Sequence, residues 1–145
     1  MYQHVLAAID LSNSSSEVIA CAYNLARLNR AVLSVLHVCP EPVAGYSALA
    51  APNYVNNEME VRQDIFPKLK QLVDDTGAGE YESVELKILF GRAADVIHEY
   101  VDTHKCDLVV SGSHGHTGVR AILGSTVNAI LHGANCDVYC VRIGK

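Results

Sequence analysis

The sequence predicts an α/β fold, in which a single three-layer domain is built on a five-stranded parallel sheet. Short apolar runs such as residues 4–9 are hydrophobic on both faces, which is typical of buried parallel strands. Helical patterns separate these runs, so the element order is β-α-β-α-β-α-β-α-β with four main helices. The chain has 145 residues, of which 50% are hydrophobic, and this is enough for one packed domain over residues 1–145.

Strands are predicted at 4–9, 31–38, 84–89, 106–112 and 137–143. The first helix follows Asp10, and Ser14 with Glu17 forms the S-x-x-E pattern of a capping box. Residues 39–57 are rich in proline and small residues, which predicts a long loop and a candidate lid or partner surface. The second helix is expected at 58–74, where Pro67 should bend or split it.

Composition excludes several classes of protein. The formal net charge is −5, whereas a non-specific grip on nucleic acid or an anionic membrane needs a basic face. No apolar run approaches the roughly 18 residues that span a bilayer, and residues 1–6 lack the features of a signal peptide. The five cysteines are scattered and odd in number, which favours free thiols in a reducing compartment. We therefore expect a cytoplasmic protein with no nucleic-acid or membrane partner.

Two glycine-containing segments are the strongest candidates for a binding site. Gly112-Ser113-His114-Gly115 follows the fourth strand, and Gly124-Ser125-Thr126 opens the fourth helix. Glycines let backbone N–H groups approach an anion, and a helix N-terminus favours negative charge. Asp10 and Gly112 both end strands, where parallel sheets bind ligands. From spacing alone, a phosphate cradle and an ordinary turn with a helix cap remain equally possible.

Catalytic signatures are not found in this sequence. There is no H-E-x-x-H, G-x-S-x-G or Walker A pattern, and no general base or arginine finger can be assigned. A phospho-acceptor response regulator would need an Asp after the third strand, where the sequence reads Leu89-Phe90-Gly91. We therefore expect a protein that is not an enzyme and has no catalytic or metal-ligating residues of its own.

Four segments resemble the universal stress protein family. They are residues 5–12, Leu36-His37-Val38, residues 107–115 and residues 123–127. ATP-binding members share a G-x2-G-x9-G-[S/T] pattern, which Gly112, Gly115, Gly124 and Ser125 match, except that eight residues separate Gly115 from Gly124. The loop is thus one residue short. The resemblance covers the whole chain and implies the adenine-nucleotide alpha-hydrolase-like fold.

The resemblance also implies a ligand and its contacts. ATP, with Mg²⁺, would act as a regulatory ligand in a stress response, with little or no hydrolysis. The implied binding residues are Ala8 and Val38 along adenine, Asp10 at ribose, Ser111 and Gly112 along base and ribose, and His114, Gly115, Gly124, Ser125 and Thr126 at the phosphates. The alternative is a dimeric interaction module of the same fold that binds no nucleotide, which the short loop supports.

The last predicted strand is a candidate dimer interface. Residues 138–143 are apolar and rich in β-formers, and in the strand order 3-2-1-4-5 they form an edge of the sheet. A long apolar edge promotes pairing unless another element covers it. A two-fold partner can supply an antiparallel copy of the same strand. We therefore expect a homodimer through Val138 to Ile143.

Overall fold

The computed structural model describes residues 1–41, 53–113 and 123–144. Its strands are β1 (His4–Ile9), β2 (Val32–Cys39), β3 (Val84–Phe90), β4 (Leu108–Gly112) and β5 (Asp137–Val141). Its helices are α1 (Ser15–Asn29), α2 (Asn53–Asp75), α3 (Ala93–His104) and α4 (Ser125–Gly133), and a 3₁₀ turn spans Ala78–Glu80. The alternation of strands and helices is therefore as predicted.

The five strands form one parallel sheet in the order β3-β2-β1-β4-β5, which confirms the predicted fold class and strand order. β1 is central, and its residues Val5, Leu6 and Ala7 are completely buried, as expected for a strand covered on both faces. The chain winds from β1 to β2 and β3 on one side, and to β4 and β5 on the other. The direction of winding reverses between β1 and β4, which is where such sheets form a ligand crevice.

Two hydrophobic layers cover the sheet. One face packs against α1 and α2, through buried residues that include Ile19, Leu33, Leu69, Val73 and Val110. The other face packs against α3 and α4, through Leu6, Leu36, Ile97, Val109 and Ile130. Odd and even residues of the central strands therefore enter different layers, as the alternation of side chains along a strand requires.

The predicted capping box at Ser14 does not form. α1 begins at Ser15, the Ser14 backbone is already helical in conformation, and its side chain makes no capping bond. The Ser14 hydroxyl instead lies 2.9 Å from that of Ser12. The turn is fixed by Asp10, whose carboxylate accepts the Ser12 N–H at 2.9 Å. A short-range side-chain bond at the end of β1 thus replaces the helix cap.

Helix α2 begins earlier than predicted, and Pro67 lies inside one continuous helix. It includes 53–57, which were assigned to the loop, and it continues through Pro67 without being split. Pro67 lies on the exposed side of the helix, where water can satisfy the carbonyl that loses its N–H partner. The proposed lid falls largely on 42–52, which lie outside the described residues.

All five cysteines are free, and the described residues contain no helix long and apolar enough to cross a membrane. Cys106 precedes β4, which begins at Leu108 rather than at 106 as predicted. The two residues leave the strand because the Cys106 N–H donates to the Val101 carbonyl, while the Asp107 carboxylate accepts the N–H groups of Gln3 and His4. Burial raises the pKa of the Cys106 thiol to about 12.

Candidate functional site

A cleft of about 540 Å³ lies at the carboxyl ends of β1, β2 and β4. Eight of the ten residues that the sequence nominated line this cleft: Ala8, Asp10, Val38, Ser111, Gly112, Gly124, Ser125 and Thr126. His114 and Gly115 lie outside the described residues. The structure thus brings together side chains that are more than 100 positions apart in the chain, although their role in binding stays a prediction.

One end of the cleft is apolar. Ala8 forms part of its floor, and the neighbouring strands place Leu36 and Ser111 beside it in register. Val38 continues the wall along β2, and Ile97 closes it from α3. Aliphatic side chains on two adjacent strands and a facing helix make an apolar slot. This end suits a flat aromatic ring.

The other end of the cleft is lined by the starts of two helices, and the described lining residues include neither Lys nor Arg. Ser14 and Ser15 at the start of α1, and Gly124, Ser125 and Thr126 at the start of α4, all line it. The first N–H groups of a helix have no intrahelical acceptor, and the helix dipole places roughly half a positive charge at this end. Two helix N-termini therefore line one cleft. Because the Ser15 and Glu17 N–H groups of α1 already donate to the Ser12 and Ser14 carbonyls, the amides that favour an anionic group are those of α4.

Gly124 leads directly into α4 in an extended conformation, with φ of −55° and ψ of 150°. Its carbonyl accepts the N–H of Asn128 at 3.0 Å, so the amides of residues 125–127 precede the first intrahelical bond. No side chain caps them in the structure, because Gly124 occupies the N-cap position. These amides can therefore donate to a ligand.

Asp10 lines the cleft at the end of β1. Its Oδ1 accepts the Ser12 N–H at 2.9 Å and the Ser15 hydroxyl at 3.3 Å. The intervening Leu11 has a φ of 62°, a left-handed conformation that turns the chain sharply from β1 into α1. Because both bonds restrain the carboxylate, Asp10 is held in a defined orientation within the cleft.

Sequence reasoning missed part of the lining. His37, Leu36 and Pro40 come from β2 and its end, and Ala93 and Ile97 come from α3. The α3 residues could not be found from a motif, since they reach the cleft only because α3 packs across the sheet. His37 was signalled by its position beside Val38. Its Nδ1–H donates to the Ile9 carbonyl at 3.0 Å, so in neutral His37 the Nε2 atom is the acceptor.

Residues 1–142 match the model of the universal stress protein family. The chain belongs to this family. Among curated relatives, universal stress protein A homolog 1 of Coxiella burnetii is 39% identical over 141 residues, which cover 97% of this chain and 96% of the relative. The family assignment drawn from residues 5–12, Leu36-His37-Val38, residues 107–115 and residues 123–127 is therefore confirmed.

Solved universal stress proteins share this fold. UspA from Lactobacillus plantarum superimposes with a TM-score of 0.77 at 25% identity, covering 97% of this chain and 98% of the other. A universal stress protein in complex with cAMP gives a TM-score of 0.74 at 23% identity, covering 97% of each chain. The protein from Archaeoglobus fulgidus in complex with dAMP gives a TM-score of 0.62 at 20% identity, again covering 97% of each chain. The fold is thus adenine-nucleotide alpha-hydrolase-like.

Proposed function

We propose that this universal stress protein binds ATP, together with Mg²⁺, as a regulatory ligand in a stress response. The observation that carries the proposal is the cleft itself, with an apolar slot at one end and two helix N-termini at the other. Its volume of about 540 Å³ falls within the roughly 300–1,000 Å³ of ordinary ligand pockets. The complexes of two structural relatives with cAMP and dAMP support an adenine nucleotide.

In this proposal each end of the nucleotide meets complementary chemistry. Adenine packs between Ala8 and Val38, and Asp10 accepts a hydrogen bond from ribose. The phosphates lie at the α4 N-terminus, where the amides of residues 125–127 donate to them. The remaining two nominated residues, His114 and Gly115, complete the phosphate loop by analogy with the family pattern.

The described residues contain no group of three or more His, Cys, Asp or Glu side chains placed to hold a metal ion. Mg²⁺ normally keeps several waters and binds through one or two carboxylates plus substrate phosphates. Asp10 is the carboxylate that lines the described part of the cleft. In this proposal Mg²⁺ is carried by the nucleotide, and Asp10 is the one carboxylate within the described lining.

We propose further that hydrolysis is slow or absent, so that ATP acts as a switch rather than a substrate. Phosphoryl transfer requires cationic groups around the transferring phosphate and a residue that orients the attacking water. The described lining offers neither Lys nor Arg, and Asp10 is engaged by Ser12 and Ser15. Purified protein should therefore release phosphate far below the median enzyme rate of about 10 s⁻¹. Rapid Mg²⁺-dependent turnover that persists through further purification would contradict this.

A symmetric homodimer through residues 138–143 forms part of the proposal. β5 is an edge strand that ends at Val141, two residues before the predicted end at 143. Its residues Val138 and Val141 and the following Ile143 are only partly buried, and Tyr139 is 48% exposed. Pairing with a second β5 would cover this edge. Val141→Lys would place two charges in the paired region, and light scattering should then find a monomer. The control Leu28→Lys, on the exposed end of α1, should remain a dimer. A monomeric wild-type protein at high micromolar concentration would contradict the dimer.

We place the protein in the cytoplasm as one domain over residues 1–145. The support comes from the cysteines. All five thiols are free, and burial raises the pKa of each. Free thiols are typical of proteins in a reducing compartment. Mapping of the thiols by alkylation in freshly lysed cells, followed by mass spectrometry, should recover all five as reduced. Recovery of a disulfide would contradict this location.

Native mass spectrometry followed by calorimetry tests the central proposal. We expect ATP to copurify or to bind the nucleotide-free protein with a measurable heat, and removal of Mg²⁺ to weaken binding. The competing function is a dimeric interaction module that binds no nucleotide, which the one-residue-shorter phosphate loop favours. No bound nucleotide and no heat with ATP, ADP, cAMP or AMP would select that alternative.

A further inference from the structure

Ser113 follows β4 and joins three parts of the fold. Its N–H donates to the Val141 carbonyl at 2.8 Å, and its own carbonyl accepts the Gly124 N–H at 2.9 Å. Its hydroxyl oxygen accepts the Ile143 N–H at 2.9 Å. The residue is 7% exposed, so these bonds are shielded from water. All three polar groups of one buried serine are therefore engaged, two by the end of the C-terminal strand and one by the start of α4.

The segments that meet at Ser113 belong to two different functional surfaces. Gly124 is the N-cap of α4 at the phosphate end of the cleft. Val141 ends β5 at the sheet edge, and Ile143 lies just beyond it. Ser113 forms hydrogen bonds to both surfaces. A displacement of the start of α4 would thus change the position of Ser113 and, through it, the end of the C-terminal strand.

We infer that Ser113 is a positioning residue that couples the occupancy of the cleft to the end of the C-terminal strand. The inference rests on the proposed nucleotide binding and goes beyond it by naming a regulatory connection. A ligand held by the α4 amides restrains Gly124, which restrains the Ser113 carbonyl and with it the hydroxyl that holds Ile143. If the ligand orders the chain at Ile143, an ordered Ile143 must strengthen ligand binding by the same factor.

Ser113→Ala separates the side-chain bond from the two main-chain bonds. The variant removes the acceptor of Ile143 and leaves the Val141 and Gly124 partners intact. Loss of one such bond costs about 1 kcal/mol, which corresponds to a factor of about five in an equilibrium. We expect ATP affinity to fall about three- to fivefold. Ser113→Thr retains a hydroxyl and should restore it, and Ser83→Ala, at an exposed serine before β3, is the matched control.

Amide hydrogen exchange at Ile143, followed by NMR, reports the coupling directly. In the wild-type protein, ATP with Mg²⁺ should slow exchange at Ile143 at least threefold, and Ser83→Ala should behave in the same way. In Ser113→Ala, exchange should be faster without ligand and should not respond to ATP, whereas Ser113→Thr should respond. A change in overall stability alone would alter the exchange rate of Ile143 without ligand, but ATP would still slow that exchange.

The outcomes separate this inference from the proposed function. Binding of ATP by wild-type protein with no change at Ile143 overturns the coupling and leaves nucleotide binding standing, even if Ser113→Ala fails to fold. An unchanged response or affinity in folded Ser113→Ala overturns it as well. Absence of any ATP binding by wild-type protein overturns both. Loss of the response in Ser113→Ala with its return in Ser113→Thr supports the assignment of Ser113.

Discussion

Ala8→Leu should separate the stability of the fold from occupancy of the cleft. Ala8 is 8% exposed on central strand β1, and its side chain faces the apolar slot beside Leu36 and Ile97. Leucine adds three carbons at this floor, where the cleft has a volume of about 540 Å³. The added side chain therefore enters the slot and takes the space in which we place adenine.

The two expected effects have opposite signs. Burial contributes about 0.8 kcal/mol for each CH₂, so partial burial of the added carbons should raise the free energy of unfolding by about 1–2 kcal/mol. Exclusion of adenine should weaken ATP binding at least about 100-fold, or about 2.7 kcal/mol. Urea denaturation measures the first effect and calorimetry the second.

Ala20→Leu, at a partly exposed position on α1 outside the cleft lining, is the matched control for added apolar bulk and should bind ATP as the wild type does. Unchanged affinity in Ala8→Leu would show that adenine does not lie on β1. A variant that loses both stability and binding would show that Ala8 packs in the core without room beside it. Either result refutes the placement of the base.

Three further predictions concern the phosphate loop, a thiol and a buried network. Gly115→Val, predicted from the sequence pattern, should weaken ATP binding at least about tenfold in calorimetry by blocking backbone approach. Cys106, with its pKa raised to about 12, should resist alkylation at pH 8 in folded protein, react readily in urea, and become reactive as the pH approaches 12. Ser34→Ala should lower the free energy of unfolding by about 2 kcal/mol, because the Tyr100 hydroxyl at 3.0 Å and His4 Nε2 at 2.8 Å lose their shared partner. In urea denaturation, the double variant with Tyr100→Phe should lose less stability than the two single variants added together.

Most of the fold could be predicted from the pattern of apolar residues in the strands. Runs such as residues 4–9 are apolar on both faces, and this alone places them inside a parallel sheet with helices on either side. The starts of helices were harder to predict, because nearby polar side chains compete for the same backbone N–H groups. Ser14 matches a capping box, yet the nearby Asp10 carboxylate binds Ser12 and Ser15 and so defines the turn instead.

The site was predictable where it lies at strand ends. Asp10 and Gly112 end β1 and β4, which are adjacent in the sheet, so their meeting follows from topology. Ile97 and Ala93 line the same cleft from α3, but nothing in the order of residues indicates how that helix is placed across the sheet. The bonds of Ser113 to Val141 and Ile143 likewise join segments whose proximity depends on the pairing of β4 with β5.

The chemistry of the cleft bears on why binding and catalysis are separable here. Phosphoryl transfer uses cationic groups that neutralise the charge developing on the phosphate, together with a residue that orients the attacking nucleophile. The main-chain amides at the start of α4 can donate to a bound phosphate, but they carry no net charge and position no attacking water. This chemistry of the described lining supports the proposal that the protein holds ATP without cleaving it. Retention of an intact ligand is also what a signal passed through Ser113 to the C-terminal strand would require, because the restraint on Gly124 lasts only as long as the phosphates stay bound.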